Sequence, residues 1–269
     1  MSLRRRTSRT TVLTGVAALG LTLLAVLGPQ PAQANHAGHD PGPVNAQSTF
    51  KWGRPQWQDD FEGARTREFW SITGRGNVQN QHGMLTLNTS RRGDTRATLA
   101  RAGHRTGRWE IRLRSRRFGS GASNYRVMTQ LVPAGGRAQH CGARNVALER
   151  YRLSHDRAHF FVRTRPARQF GDHQRLALGN NRWHTYAVEV TRQRISWFVD
   201  AHVITSERRP AALSRVPFTV RFTMAARPGA RMNQSRMQMD WLRYFDLHRP
   251  NQKSVAAPRA HRSRYADAC

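Results

Sequence analysis

Lysine is almost missing from this chain: Lys51 and Lys253 are its two lysines, and the remainder of its 45 basic residues are arginine. Acidic residues are also scarce, sixteen in all, and the formal net charge is +29. Cysteine occurs twice, at Cys141 and Cys269, which allows at most one disulfide and excludes a disulfide scaffold. No Cys/His cluster has the spacing of a zinc site, so no metal or other cofactor is expected. One apolar run exists, Val12 to Leu27, and it is short for a membrane span and closed by Gly28 and Pro29. Beyond it no sustained helical period, internal repeat or recognisable nucleic-acid module occurs.

The apolar run reads as part of a leader. Arg4, Arg5, Arg6 and Arg9 precede it, and Ala32-Gln33-Ala34 supplies a small-x-small cleavage site, so residues 1–34 are expected to be a signal peptide. The chain is then exported and acts outside the cell, with no membrane attachment after cleavage. In that oxidising compartment Cys141 and Cys269 either bridge or stay as free thiols; spacing does not choose between them. Residues 35–50 read as a polar linker, with His36 and His39 solvated, and residues 249–269 as a basic tail. The 51–248 segment is long enough for one large β-domain, expected to act as a monomer.

Period-two alternation runs through that segment. Trp109, Ile111 and Leu113 point one way while Arg108, Glu110, Arg112 and Arg114 point the other. Tyr186, Val188 and Val190 share a face, and Ile195, Trp197 and Val199 repeat the pattern after the turn Arg192-Gln193-Arg194. Val216–Ala225 and Met237–Phe245 add two strands, and glycines and prolines punctuate the intervals. The fold class is therefore all-β, a two-sheet antiparallel sandwich. Trp109, Trp183, Trp197 and Trp241 fall in strand patterns and are assigned to its core. The arginine excess has two readings: an anionic partner, or compositional bias spread over a solvated surface, since the arginines scatter along every strand.

Four segments, in order, resemble glycoside hydrolase family 16. Asp59-Asp60-Phe61-Glu62-Gly63 is similar to its opening strand, and Gly107-Arg108-Trp109-Glu110-Ile111-Arg112 to its G-R-x-E-x-R strand. Trp183-His184-Thr185-Tyr186-Ala187-Val188-Glu189 with Ile195-Ser196-Trp197-Phe198-Val199-Asp200 resembles its aromatic hairpin, and Met239-Asp240-Trp241-Leu242-Arg243-Tyr244 its last strand. The likeness covers roughly residues 57 to 246. It implies a concanavalin A-like jelly roll whose concave face holds a β-glucan or galactan chain, cleaved with retention by two carboxylates about 5–5.5 Å apart.

The catalytic strand, by this resemblance, is Arg144 to Tyr151. Asn145 stands at the nucleophile position, Ala147 at the middle acid, and Glu149 alone keeps its carboxylate, as general acid/base if the protein is active. In the bulged form of the motif the first two positions become Arg144 and Val146. Residues two apart on a strand share a face, so Asn145, Ala147 and Glu149 should project together. Asn145 is no nucleophile but can hydrogen-bond sugar hydroxyls. Arg144, Asn145 and Tyr125 are the candidate substrate-binding residues, Tyr125 as a stacking ring or as an ordinary strand residue. Glu149 could equally be paired with one of the arginines.

The first reading is thus a secreted, glycosidase-like polysaccharide binder with hydrolysis weak or lost. A second is an active hydrolase completed by a loop acid, Asp156 or Asp172. Two remoter ones are a uronate lyase using His140, Tyr125 and Arg144, and a binder of an anionic polymer such as nucleic acid, supported by charge alone.

Overall fold

The computed structural model describes residues 44–63, 66–135, 144–164, 167–179 and 181–265. The leader and its cleavage site, His36, His39, His140, Cys141 and Cys269 lie outside the described residues. Those described form an all-β sandwich of two antiparallel sheets.

The first sheet runs in the order β3 (Asn77–Asn80), β4 (Leu85–Asn88), β15 (Ser235–Phe245), β6 (Gly107–Arg117), β11 (His184–Val190), β12 (Ile195–Val199) and β13 (His202–Glu207). The short β1 (Trp57–Asp59) also pairs with β15. The second sheet runs β2 (Trp70–Gly74), β5 (Thr95–Leu99), β14 (Phe218–Ala225), β7 (Arg126–Pro133), β8 (Val146–Arg152), β9 (Arg157–Thr164), β10 (Arg168–Arg175) and β16 (His261–Arg264). Runs of sequential strands, β7 to β10 and β11 to β13, pair within one sheet, and other connections cross from one sheet to the other, which is the jelly-roll pattern.

The alternation explains the core. Ile111, Leu113, Val188 and Trp197 of the first sheet pack in one buried cluster with Val127, Leu131, Val146, Phe160, Val162 and Phe222 of the second. The Trp197 indole N–H crosses the sandwich and donates to the Ala147 carbonyl at 2.8 Å. The predicted turn between β11 and β12 is held by the Thr191 hydroxyl, which accepts from the amides of Gln193 and Arg194. Trp109, Trp197 and Trp241 are buried as expected. Trp183 is instead half-buried, with the guanidiniums of Arg112 and Arg114 4.6 and 4.5 Å from its ring, because the polar residues of β6 reach over it.

The domain is longer at both ends than residues 51–248. Helical turn α1 (Ala46–Phe50) is capped by the Asn45 side chain, which accepts from Ser48 N–H, and ends at Lys51 with φ of 58°. It does not behave as a linker: Phe50 and Trp52 pack with Phe198, Phe245 and Val255 over the outer side of the first sheet. The basic tail also docks. Ala260 N–H bonds the Ser206 carbonyl, and β16 pairs with β10. This cover buries polar residues that alternation alone aims at solvent. Glu110 accepts from Ala46 N–H at 2.5 Å, and burial pushes its carboxyl up to about 7 against the pull of those amides and Arg243. Arg108 pairs with Glu189 at 2.7 Å, both buried. Burial pushes Glu189 up, but bonds from Arg108, Arg194 and Asn251 outweigh it and hold the carboxyl below its usual value.

Candidate functional site

Strand β8 lies in the second sheet between β7 and β9, and its two ladders fix where each side chain goes. Along β7 the partners are Leu131 with Val146 and Gln130 with Ala147, then Thr129 with Glu149. Leu148 has no partner of its own: β8 carries one extra residue, a β-bulge. Directly opposed residues share a sheet face. Thr129 falls between Val127 and Leu131, both in the core, so it faces inward, and Glu149 faces inward with it.

The bulge therefore overturns the expectation that Asn145, Ala147 and Glu149 project together. Asn145 and Ala147 keep the outward phase, and Glu149 and Tyr151 take the inward one. Tyr151 confirms it: its hydroxyl lies 2.7 Å from Ser115 Oγ on the opposite sheet. Glu149 is 0 % exposed, and neither of its carboxylate oxygens has a hydrogen-bond partner of normal geometry among the described residues. Burial pushes its pKa well above the usual carboxylate value, against a smaller downward pull from the Thr129 hydroxyl and amide. Glu149 is thus a buried acid inside the sandwich; burial pushes the phenol pKa values of Tyr151 and Tyr186 up, and the nearby Glu149 adds to the rise. It is not paired with an arginine, and it presents no oxygen to the outer face.

Tyr125 is also corrected. It is fully buried just before β7, and its hydroxyl donates to the carbonyls of Ser90 and Gly93 at 3.1 and 2.8 Å. It packs as a core ring and offers no stacking surface. Asn145 is 4 % exposed with its side-chain oxygen unpartnered, while its main-chain carbonyl accepts from Arg163 N–H. Arg144, at φ of 67°, makes the left-handed turn into β8.

Arginines, not carboxylates, furnish the outer face around β8. Arg126 faces Arg152 directly across the β7–β8 ladder, and Arg150 stands opposite Met128 on one side and His159 on the other. Phe161, the β9 partner of Ala147, carries the guanidiniums of both Arg150 and Arg163 at 5.0 Å from its ring. Arg163 also lies 4.4 Å from the Tyr265 ring. A cleft of about 430 Å³ opens at one end of this face, lined by Arg126, Arg150, Arg152, Arg157, His155, His159, the 3 % exposed Tyr151 and one acid, Asp156. Asp156 sits 3.7 Å from Arg175. The other loop acid, Asp172, bonds the His173 amide and does not line the cleft. Burial, then the fields of Arg126 and Arg163, pull Arg150 down to about 10, and burial, Arg150, His173 and Arg157 pull His159 down to about 4. At neutral pH the face is charged by arginine while His159 is neutral.

The sequence reading passed over Arg126, Arg150, His159, Phe161 and Arg163. Their signal was present: Arg157, His159, Phe161 and Arg163 recur at period two along β9, as Arg150 and Arg152 do on β8. No three described residues are grouped to hold a metal ion.

No family model and no curated protein sequence matches the chain. Solved structures do. The laminarinase from Rhodothermus marinus superimposes with a TM-score of 0.59 at 16 % identity, over 72 % of this chain and 97 % of that one. A non-specific endo-β-1,3(4)-glucanase of glycoside hydrolase family 16 gives 0.58 at 14 % identity, over 72 % and 94 %. The endo-β-1,3-glucanase from Pyrococcus furiosus gives 0.57 at 13 % identity, over the same shares. The chain therefore has the fold of the family 16 glucanases, and the outer face of its second sheet carries arginines along β7, β8 and β9.

Proposed function

We propose that the protein is an exported, glycosidase-like polysaccharide-binding protein that does not perform retaining hydrolysis. One observation carries the reading: Glu149, the acid that the motif retains, faces the core opposite Thr129 and is shielded from the outer face. Retention also requires a carboxylate nucleophile, and Asn145 holds an amide there. Support for a glycan ligand comes from the fold shared with laminarinases and endo-glucanases. Support for export comes from the leader pattern of residues 1–34.

The test pairs turnover with binding. Reducing-sugar release from laminarin and lichenan should stay at the blank, while affinity electrophoresis through polysaccharide gels should retard the protein. Robust turnover abolished by Asp156→Asn would replace this reading with an active hydrolase whose working acid is the one in the cleft. Absence of retardation in every polysaccharide would remove the binding half.

A further inference from the structure

We propose that the outer face of β7, β8 and β9 is a binding track for a polyanionic polysaccharide, whose carboxylate or sulfate groups pair with Arg126, Arg150, Arg152 and Arg163. The inference rests on the reading of a glycan-binding protein and adds the chemistry of the glycan.

Three observations converge on it. The first is unbalanced charge. Among the described residues no carboxylate pairs with Arg126, Arg150 or Arg152, and Arg126 and Arg152 are directly opposed in the ladder. Like charges in that position destabilise a sheet. An anion placed between them reverses the sign of the interaction, and a guanidinium fork matches a carboxylate or sulfate in a bidentate way.

The second is where the charges sit. Ala147 occupies the middle acid position of the motif, and its ladder partner Phe161 carries the guanidiniums of Arg150 and Arg163. Cations thus stand over the stretch of β8 where the resemblance puts catalytic acids. They continue from the Arg126–Arg152 end of the face to Arg163 beside Asn145, whose carbonyl accepts the Arg163 amide. On β9 that is the six-residue step from the level of Arg157 to Arg163, roughly 20 Å at about 3.3 Å per residue. A track of that length, with arginines at both ends and Arg150 between them, suits a polymer rather than a single small anion.

The third is what the face lacks. A neutral glucan is gripped largely by ring stacking, and bases of single-stranded nucleic acid likewise need open aromatic faces. Phe161 is buried under its two guanidiniums and Tyr125 lies in the core, so along this stretch of β7–β9 affinity must come from charge. That favours an anionic glycan over a neutral one and over a nucleic acid.

Binding of the purified protein to polygalacturonate (carboxylate), chondroitin sulfate (sulfate and carboxylate), laminarin (neutral) and single-stranded oligonucleotide is measured by titration calorimetry at low and physiological salt. Three variants are compared: Arg126→Gln/Arg152→Gln, both at exposed positions; Arg150→Lys, which keeps the charge and loses the fork; and a control, Arg192→Gln/Arg208→Gln, which removes two exposed charges from the far edge of the first sheet. The expected result is tight, salt-sensitive binding to one or both anionic glycans. It should fall at least tenfold in Arg126→Gln/Arg152→Gln, severalfold in Arg150→Lys, and less than twofold in the control. Relieving the opposed pair should also raise the melting temperature of unliganded Arg126→Gln/Arg152→Gln by about 1–3 °C, so weakened binding cannot be laid to unfolding. The carboxylate and sulfate arms identify the group recognised. Equal losses in the face variant and the control would reduce the effect to net charge and overturn the proposal. So would tighter binding to the oligonucleotide than to either anionic glycan. Binding to laminarin alone would overturn the track and leave the glycan-binding reading standing; binding to no glycan would end both.

Discussion

Replacing Glu149 with Gln tests the placement on which the proposed loss of catalysis rests. In the folded chain Glu149 keeps its proton because burial opposes ionisation; in the unfolded chain it ionises near the usual carboxylate value of 4.5. A folded pKa raised in this way contributes stability that is complete below 4.5 and is lost as pH rises toward the folded value, because the native state then holds more protons than the unfolded one. While the folded group stays protonated the slope is about 1.4 kcal/mol per pH unit. Glu149→Gln has no such slope. Its buried amide carries a cost of its own, but that cost is the same at every pH. The stability of the variant minus that of the parent should therefore rise by about 1.4 kcal/mol between pH 5 and pH 6, or roughly 3–5 °C in melting temperature for a domain of this size. Every other ionisable group is common to both proteins and cancels in the difference. Urea melts at quarter-unit pH steps give the curve. Parallel profiles for parent and variant would mean that Glu149 is ionised and solvated, hence on the outer face and able to serve as an acid, and the argument from the bulge would fail.

Other outcomes follow from the same geometry. Adding carboxylates at the two vacant motif positions, Asn145→Glu with Ala147→Asp, should leave laminarin hydrolysis at the blank, because the third acid faces the core; a reducing-sugar assay decides it. Phe50→Ala, which removes the ring that meets Phe198 edge-on at 5.1 Å, should cost about 3–5 kcal/mol in a denaturant melt if α1 belongs to the domain, and almost nothing if it is a linker. Glu110, raised to about 7, should make the protein lose roughly 3 kcal/mol as pH rises from 4.5 to 7, at about 1.4 kcal/mol per pH unit. Glu110→Gln should flatten that part of the profile.

What could be read from the sequence was whatever depends on local period. Trp109, Ile111 and Leu113 went to the core because residues two apart share a face, and the paired strands β11 and β12 fell where the aromatic motifs put them. What could not be read depends on contacts between distant segments. The bulge at Leu148 is one unpaired residue with no compositional mark, yet it moves Glu149 from one face to the other. Tyr125 is buried by carbonyls of Ser90 and Gly93, some thirty residues earlier. Arg108 and Glu110 alternate as solvent-facing residues do, and become buried because α1 and the tail cover that side of the sheet. The arginine face was visible as charge and was diluted by arginine elsewhere; the ladder partners of β8 single out the residues that matter.

The two departures from a hydrolytic site reinforce each other. A retaining enzyme needs one carboxyl held protonated until it donates to the leaving oxygen, and a low-polarity site or a neighbouring carboxylate raises its pKa for that purpose. Beside Arg126, Arg150 and Arg163 a carboxyl on the outer face of β8 would be pulled down instead, and would be ionised at the moment a proton is required. Glu149 escapes that field because the bulge turns it inward, where it is protonated and out of reach of any substrate. A carboxyl returned to the face would meet the arginines, and one left in the core would meet no sugar. A retaining site on this face would therefore require removing the cations as well as restoring the acids, and removing the cations would remove the charge on which the proposed anion binding rests.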